Sequence, residues 1–132
     1  MAMGGAGTDG MTTKMPEVAV DEAAALSAAA CLFRSLGDPS RLAIVRHLAA
    51  SGAHRVVELT EHLGLAQSTV SAHLACLRDC GVAESRPQGR ASLWSLTAPE
   101  QVLDILAAAE RLLAVTGDAV TICPTYGEAA NR

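Results

Sequence analysis

Between residues 56 and 96 the hydrophobic pattern changes character twice, and this restricts the fold more than any other feature of the chain. The run "VVELTEHL" reads as one short amphipathic helix, and Gly64 and Leu65 make a tight turn. A longer helix then starts near Gln67, with Val70, Leu74 and Leu77 at helical spacing. After Gly81 the pattern becomes strand-like: "VAESR" and "ASLWSL" flank "PQGR", whose Pro87 and Gly89 are hairpin punctuation. A short helix, a Gly-containing turn and a longer helix form a helix-turn-helix, and a hairpin directly after it is a wing.

The flanking segments read as helices. From Asp21 to Leu36 an Ala-rich run carries Leu26, Phe33 and Leu36, and Gly37 closes it. In "DPSRLAIVRHLAAS", Asp38 is a cap and Pro39 occupies the first helical position, with Leu42, Val45 and Leu48 as the inward stripe. In the last helix, Pro99 to Val115, the apolar residues cover more than one stripe. A terminal helix of a small domain needs one buried face, so the second is expected to meet a partner, most simply a second copy. The expected fold class is mainly α with a small β-hairpin, a winged helix-turn-helix dimerising through its first and last helices. Residues 1–19 are expected as a disordered tail, 20–116 as the domain, and 117–132 as a second tail carrying Cys123.

At 132 residues this is one domain with its own core. No run of about eighteen apolar residues exists, so no membrane span is expected. The N-terminus lacks the basic start and apolar centre of a secretory signal, which points to the cytoplasm. Thiols stay reduced there, so four Cys suggest metal or redox chemistry before disulfides. The net charge of -4 argues weakly against a nucleic-acid partner, but the acids gather in the flanks. Residues 78–90 hold Arg78, Arg86 and Arg90 against Asp79 and Glu84, a slight basic excess. No nucleophile, base and oxyanion set or phosphate loop stands out, so an enzyme is not expected.

The central helix has three faces. Leu74, Leu77 and Gly81 fall within roughly 40° of Val70 and form the buried stripe. Ser68, Ala72, Ala75 and Asp79 lie opposite, with Ser71 and Arg78 beside them. That small, polar face suits a major groove, the plainer alternative being a solvated surface. On the remaining flank, about 60° to 120° from Val70, lie Thr69, His73, Cys76 and Cys80. Thiols four residues apart project from one side of adjacent turns and can share an ion. A soft-metal site needs one or two further ligands. Cys123 is the strongest candidate, since it has no evident core to fill. Cys31 reads as a buried structural thiol, and His73 as a hydrogen-bonded or phosphate-contacting residue. His47, His54 and His62 show no metal-binding spacing.

The stretches "LGDPSRLAIVRHL" and "VVELTEHLGLAQSTVSAHLACLRDCGVAESRPQGRASLWSL" resemble the ArsR/SmtB family of metal-responsive winged-helix repressors, over roughly residues 32–96. The Asp-Pro-Ser-Arg start, the Ser-x-x-Ser-x-His-Leu helix and the Gly-Arg wing occur in order. The sequence is most similar to the cadmium- and lead-sensing type, where a Cys-Leu-Arg-x-Cys run on the recognition helix joins a tail Cys of the other subunit. The resemblance implies those roles for Cys76, Cys80 and Cys123, with Cd or Pb, and possibly Zn, as effector. It further implies an apo homodimer on double-stranded operator DNA. Gln67, Ser68, Thr69, Ser71 and His73 would then position or read, and Arg86, Gln88 and Arg90 would touch backbone or minor groove. A redox, persulfide or arsenite sensor would use the same fold, and a protein-interaction module with structural cysteines is the remaining alternative. Ala66 stands where relatives commonly have a Ser cap, and Trp94 where Tyr is more frequent.

Overall fold

The computed structural model describes residues 14–117 and 119–123. The chain divides into two compact units between Phe33 and Arg34. The first consists of most of helix α1 (Lys14–Leu36). This helix starts earlier than the expected Asp21, inside the segment expected as a tail, because nothing in "KMPEVAV" breaks it: Pro16 falls in the first turn, where proline is tolerated. Residues 21–30 are all exposed, and Leu26 and Phe33 are 65% and 64% exposed. Cys31 is half-buried and disulfide-bonded.

The second unit contains α2 (Pro39–Ser51), β1 (His54–Arg55), α3 (Val56–Leu63), α4 (Gln67–Asp79), β2 (Ala83–Gln88), β3 (Ala91–Leu96) and α5 (Pro99–Thr116). Asp38 caps α2, its carboxylate accepting from the Arg41 backbone N–H at 3.0 Å, and Pro39 follows as the first helical residue. The turn between α3 and α4 depends on Gly64, whose φ of 70° is left-handed and whose N–H donates to the Thr60 carbonyl. Ile44, Val45, Leu59, Val70, Leu74 and Leu77 are fully buried. They come from α2, α3 and α4, so the core lies directly behind the helix-turn-helix. The α2 stripe is Ile44, Val45 and Leu48, while Leu42 is only half-buried. Positions 44, 45 and 48 share one helical face, and Leu42 falls beside it.

The wing strands pair antiparallel in continuous register, from Ala83↔Leu96 to Gln88↔Ala91. The sheet also has a third strand, absent from the sequence reading. His54↔Trp94 and Arg55↔Leu93 pair β1 with β3, giving the order β1-β3-β2. Two residues are too short to show a period of two. This strand fixes the base of the wing to the loop between α2 and α3. On α5, Val102 and Leu106 are buried, whereas Leu112 and Val115 are 64% and 84% exposed. The second apolar stripe expected on the last helix is therefore present and open. No helix among the described residues is long and apolar enough to cross a membrane.

Candidate DNA-binding face and thiol positions

Burial of Val70, Leu74 and Leu77 fixes which side of α4 turns outward. Gln67, Ser68, Thr69 and Ser71 are all exposed on its first turns. The helix starts without a side-chain cap, as Ala66 dictates. On the wing, Arg86, Gln88 and Arg90 are exposed, with Gly89 at φ 65° turning the hairpin. The Arg78 guanidinium lies 5.8 Å from the Trp94 ring centroid, so a cation of α4 rests on the aromatic base of the wing.

His73 does not share that outward exposure. It is half-buried and faces the start of α2, where the Arg41 Nη1 donates to its Nδ1 at 3.2 Å. Its Nε2 lies 3.8 Å from the Asp38 carboxylate. The same Arg41 donates from Nε to the Ser35 carbonyl at 2.7 Å and from Nη2 to the Arg34 carbonyl at 3.2 Å. Of the five α4 residues expected to meet DNA, four are presented outward and His73 is turned to Arg41 and Asp38 of its own chain. The angular estimate that set His73 on the flank beside Cys76, away from Ser68 and Ala72, carried the signal.

The cysteines are in different chemical states. Cys76 is a half-buried free thiol. One turn on, the Cys80 backbone N–H donates to the Cys76 carbonyl at 3.2 Å, so the two residues stand on adjacent turns as the spacing requires. Cys80 is disulfide-bonded, which departs from the expectation of four reduced thiols. Cys123 is a free thiol beside α5: its N–H and that of Ile122, the latter at 2.6 Å, both donate to the Glu110 carboxylate. Its Sγ lies 3.9 Å from the Leu103 carbonyl. Burial, reinforced by the Glu110 charge and partly opposed by Arg46, pushes the Cys123 thiol up from its ordinary pKa. Among the described residues no three His, Cys, Asp or Glu groups gather where they could hold a metal ion. One chain by itself therefore does not assemble Cys76, Cys80 and Cys123 into a site.

Three histidines without regular spacing do meet. The His47 ring stacks on His62 at 3.8 Å between centroids and lies 4.6 Å from His54. With Glu58 and Glu61 they line an open cavity of about 450 Å³. Desolvation, then the His62 and His54 charges, lower the pKa of His47. His47 lies on α2, His54 on β1 and His62 on α3, so the cluster is made by the short connection between α2 and α3 and not by spacing within one element.

Core-backed helices, an exposed polar face on the second helix of the turn, and an Arg-bearing hairpin define a winged helix-turn-helix regulator of transcription. Comparison with known proteins makes that assignment specific. Residues 38–85 match the family described as "Bacterial regulatory protein, arsR family". A probable mercury resistance operon repressor of Streptomyces lividans is 36% identical over 99 residues, covering 73% of this chain and 78% of the relative. The HTH-type transcriptional regulator CmtR of Mycobacterium bovis is 43% identical over 70 residues, 53% of this chain and 58% of that protein. The solution structure of the homodimeric winged helix-turn-helix domain Mb0332, also from M. bovis, superposes with a TM-score of 0.62. It is 27% identical and covers 70% of this chain and 89% of its own. The chain belongs to the arsR family of bacterial regulatory proteins. It is a transcriptional regulator of that family, as its relatives are.

Proposed function

We propose that the chain acts as a homodimeric repressor that binds operator DNA in its metal-free form and leaves it when cysteine thiolates capture a soft divalent ion, Cd or Pb before Zn. The observation that carries this reading is the construction of α4: an outward face of Gln67, Ser68, Thr69 and Ser71, followed on the same helix by Cys76 and Cys80. An ion held near the end of that helix acts on the element that fits the groove. Similarity to a mercury resistance repressor and to a CmtR regulator supports a thiophilic effector. In this reading the third donor is Cys123 of a partner subunit.

The donor types fit such an ion, since soft cations select thiolates. Binding asks three things of this chain: a reduced Cys80, release of the Cys123 backbone N–H from the Glu110 carboxylate, and loss of the Cys123 thiol proton. Proton release makes capture stronger as pH rises. Clearing an operator from nearly full to nearly empty needs about 5.5 kcal/mol of preference for the DNA-free state. Thiolate sites, which bind structural zinc by more than about 10 kcal/mol, can supply it.

One observation favours a second reading, a thiol redox sensor: Cys80, at the end of α4, is disulfide-bonded. A single comparison separates the two. Reduced full-length protein on its own promoter fragment is titrated with Cd²⁺, Pb²⁺, Zn²⁺ and arsenite, in wild type and in Cys76→Ser, Cys80→Ser and Cys123→Ser forms. The metal reading predicts release by Cd²⁺ or Pb²⁺, reversed by chelator and lost in each serine form. In a parallel arm a disulfide oxidant replaces the metals, and release there that ignores chelator and is reversed by reductant supports the redox reading. Serine forms that release DNA as readily as wild type overturn the site assignment.

A further inference from the structure

We infer that His73 is a positioning residue: through Arg41 it locks the recognition helix to the end of α1 and the start of α2, and it does not itself contact DNA. Arginine can only donate, so the 3.2 Å contact from Nη1 requires His73 Nδ1 to be the accepting nitrogen. In that tautomer the proton is carried by Nε2, the nitrogen 3.8 Å from the Asp38 carboxylate. Two further guanidinium donors are committed elsewhere. Nε holds the carbonyl of Ser35, a fully buried residue, at 2.7 Å, and Nη2 holds that of Arg34 at 3.2 Å. Asp38 meanwhile is fixed by capping α2 at the Arg41 N–H.

One rigid fork therefore ties together the last turn of α1, the first turn of α2 and the middle of α4. A lysine cannot reproduce it, because an ammonium lacks the planar spread of donors. His73 lies two residues beyond the exposed Ser71 and three before Cys76. The lock thus sits between the groove-facing residues and the thiols, where a small rotation of α4 changes the presentation of both. Its DNA readout rests on the operator reading above.

The test measures binding of full-length protein to its own promoter fragment and to an unrelated duplex over a range of salt. The forms compared are wild type, His73→Gln, His73→Leu, Arg41→Gln and the double variant Arg41→Gln/His73→Leu. Leucine at 73 is expected to weaken promoter binding by about tenfold or more, while binding to the unrelated duplex and the salt slope stay as in wild type. Glutamine, whose amide oxygen accepts from Arg41, restores most of the loss. The double variant is no worse than Arg41→Gln alone. Equal losses on both duplexes with a salt slope reduced by about one identify a phosphate contact and overturn the proposal, as do additive losses in the double variant. The ¹⁵N spectrum of wild-type histidines without DNA tests the contact independently of folding in any variant. An unprotonated Nδ1 at His73 is expected, and a proton there overturns the lock. If wild type does not prefer its promoter fragment, the operator reading fails, and the ¹⁵N result still decides whether the contact exists.

Discussion

His47 shows how much of this molecule's chemistry is set by neighbours distant in the sequence. Stacked on His62 and close to His54, it is held below its ordinary pKa first by desolvation and then by those rings. The unfolded chain binds a proton at His47 more readily than the native one, so native stability falls as pH drops through about 6.5 and levels off below the lowered native value. Thermal melts should show a loss of stability on acidification that is smaller in His47→Gln than in wild type; equal pH dependence would contradict this origin. Glu110 gives a second prediction. Its carboxylate helps keep the Cys123 thiol protonated, so Glu110→Gln should accelerate alkylation of Cys123 near neutral pH. An unchanged rate would mean that burial alone sets the thiol. Neither cluster was readable from spacing, because neither the three histidines nor Glu110 and Cys123 share an element.

The elements themselves were largely legible. Strong helical periodicity and Gly64 gave α3, the turn and α4, and Pro87 with Gly89 gave the wing, because these are local signals. What escaped was what local signals do not carry: a two-residue strand whose reason for existing is its partner Trp94, and a helix α1 that extends back to Lys14. The inward stripe of α4 leads to a quantitative expectation. Leu74 is completely buried, so Leu74→Ala should cost about 2–5 kcal/mol in denaturant unfolding, through lost burial and the cavity left behind. Gly64 tests the turn. A Cβ there meets nothing within 4 Å, so Gly64→Ala should cost only the left-handed backbone penalty of about 1–2 kcal/mol. A larger loss would mean that the turn also depends on packing.

At the scale of the whole molecule, the proposed homodimer draws on apolar residues left open in one chain. Leu112 and Val115 on α5, and separately Leu26 and Phe33 on α1, stay exposed in one chain. Glutamate at both 112 and 115 should shift the protein to monomer in sedimentation, and promoter affinity should fall with the loss of the second half-site. A dimer that survives this pair would place the interface elsewhere. The exposure of the residues proposed to face DNA, His73 excepted, could be read in the sequence because they lie on one helix and one hairpin. The proposed thiol set could not be completed from the sequence, because the tail cysteine packs beside α5 in its own chain, a contact that no spacing announces. The most direct test is X-ray absorption at the cadmium edge of the reduced, cadmium-loaded protein. Three sulfur neighbours per ion are predicted, dropping to two when Cys123 is replaced by serine. A shell of nitrogen and oxygen, or a sulfur count indifferent to Cys123, would contradict the account.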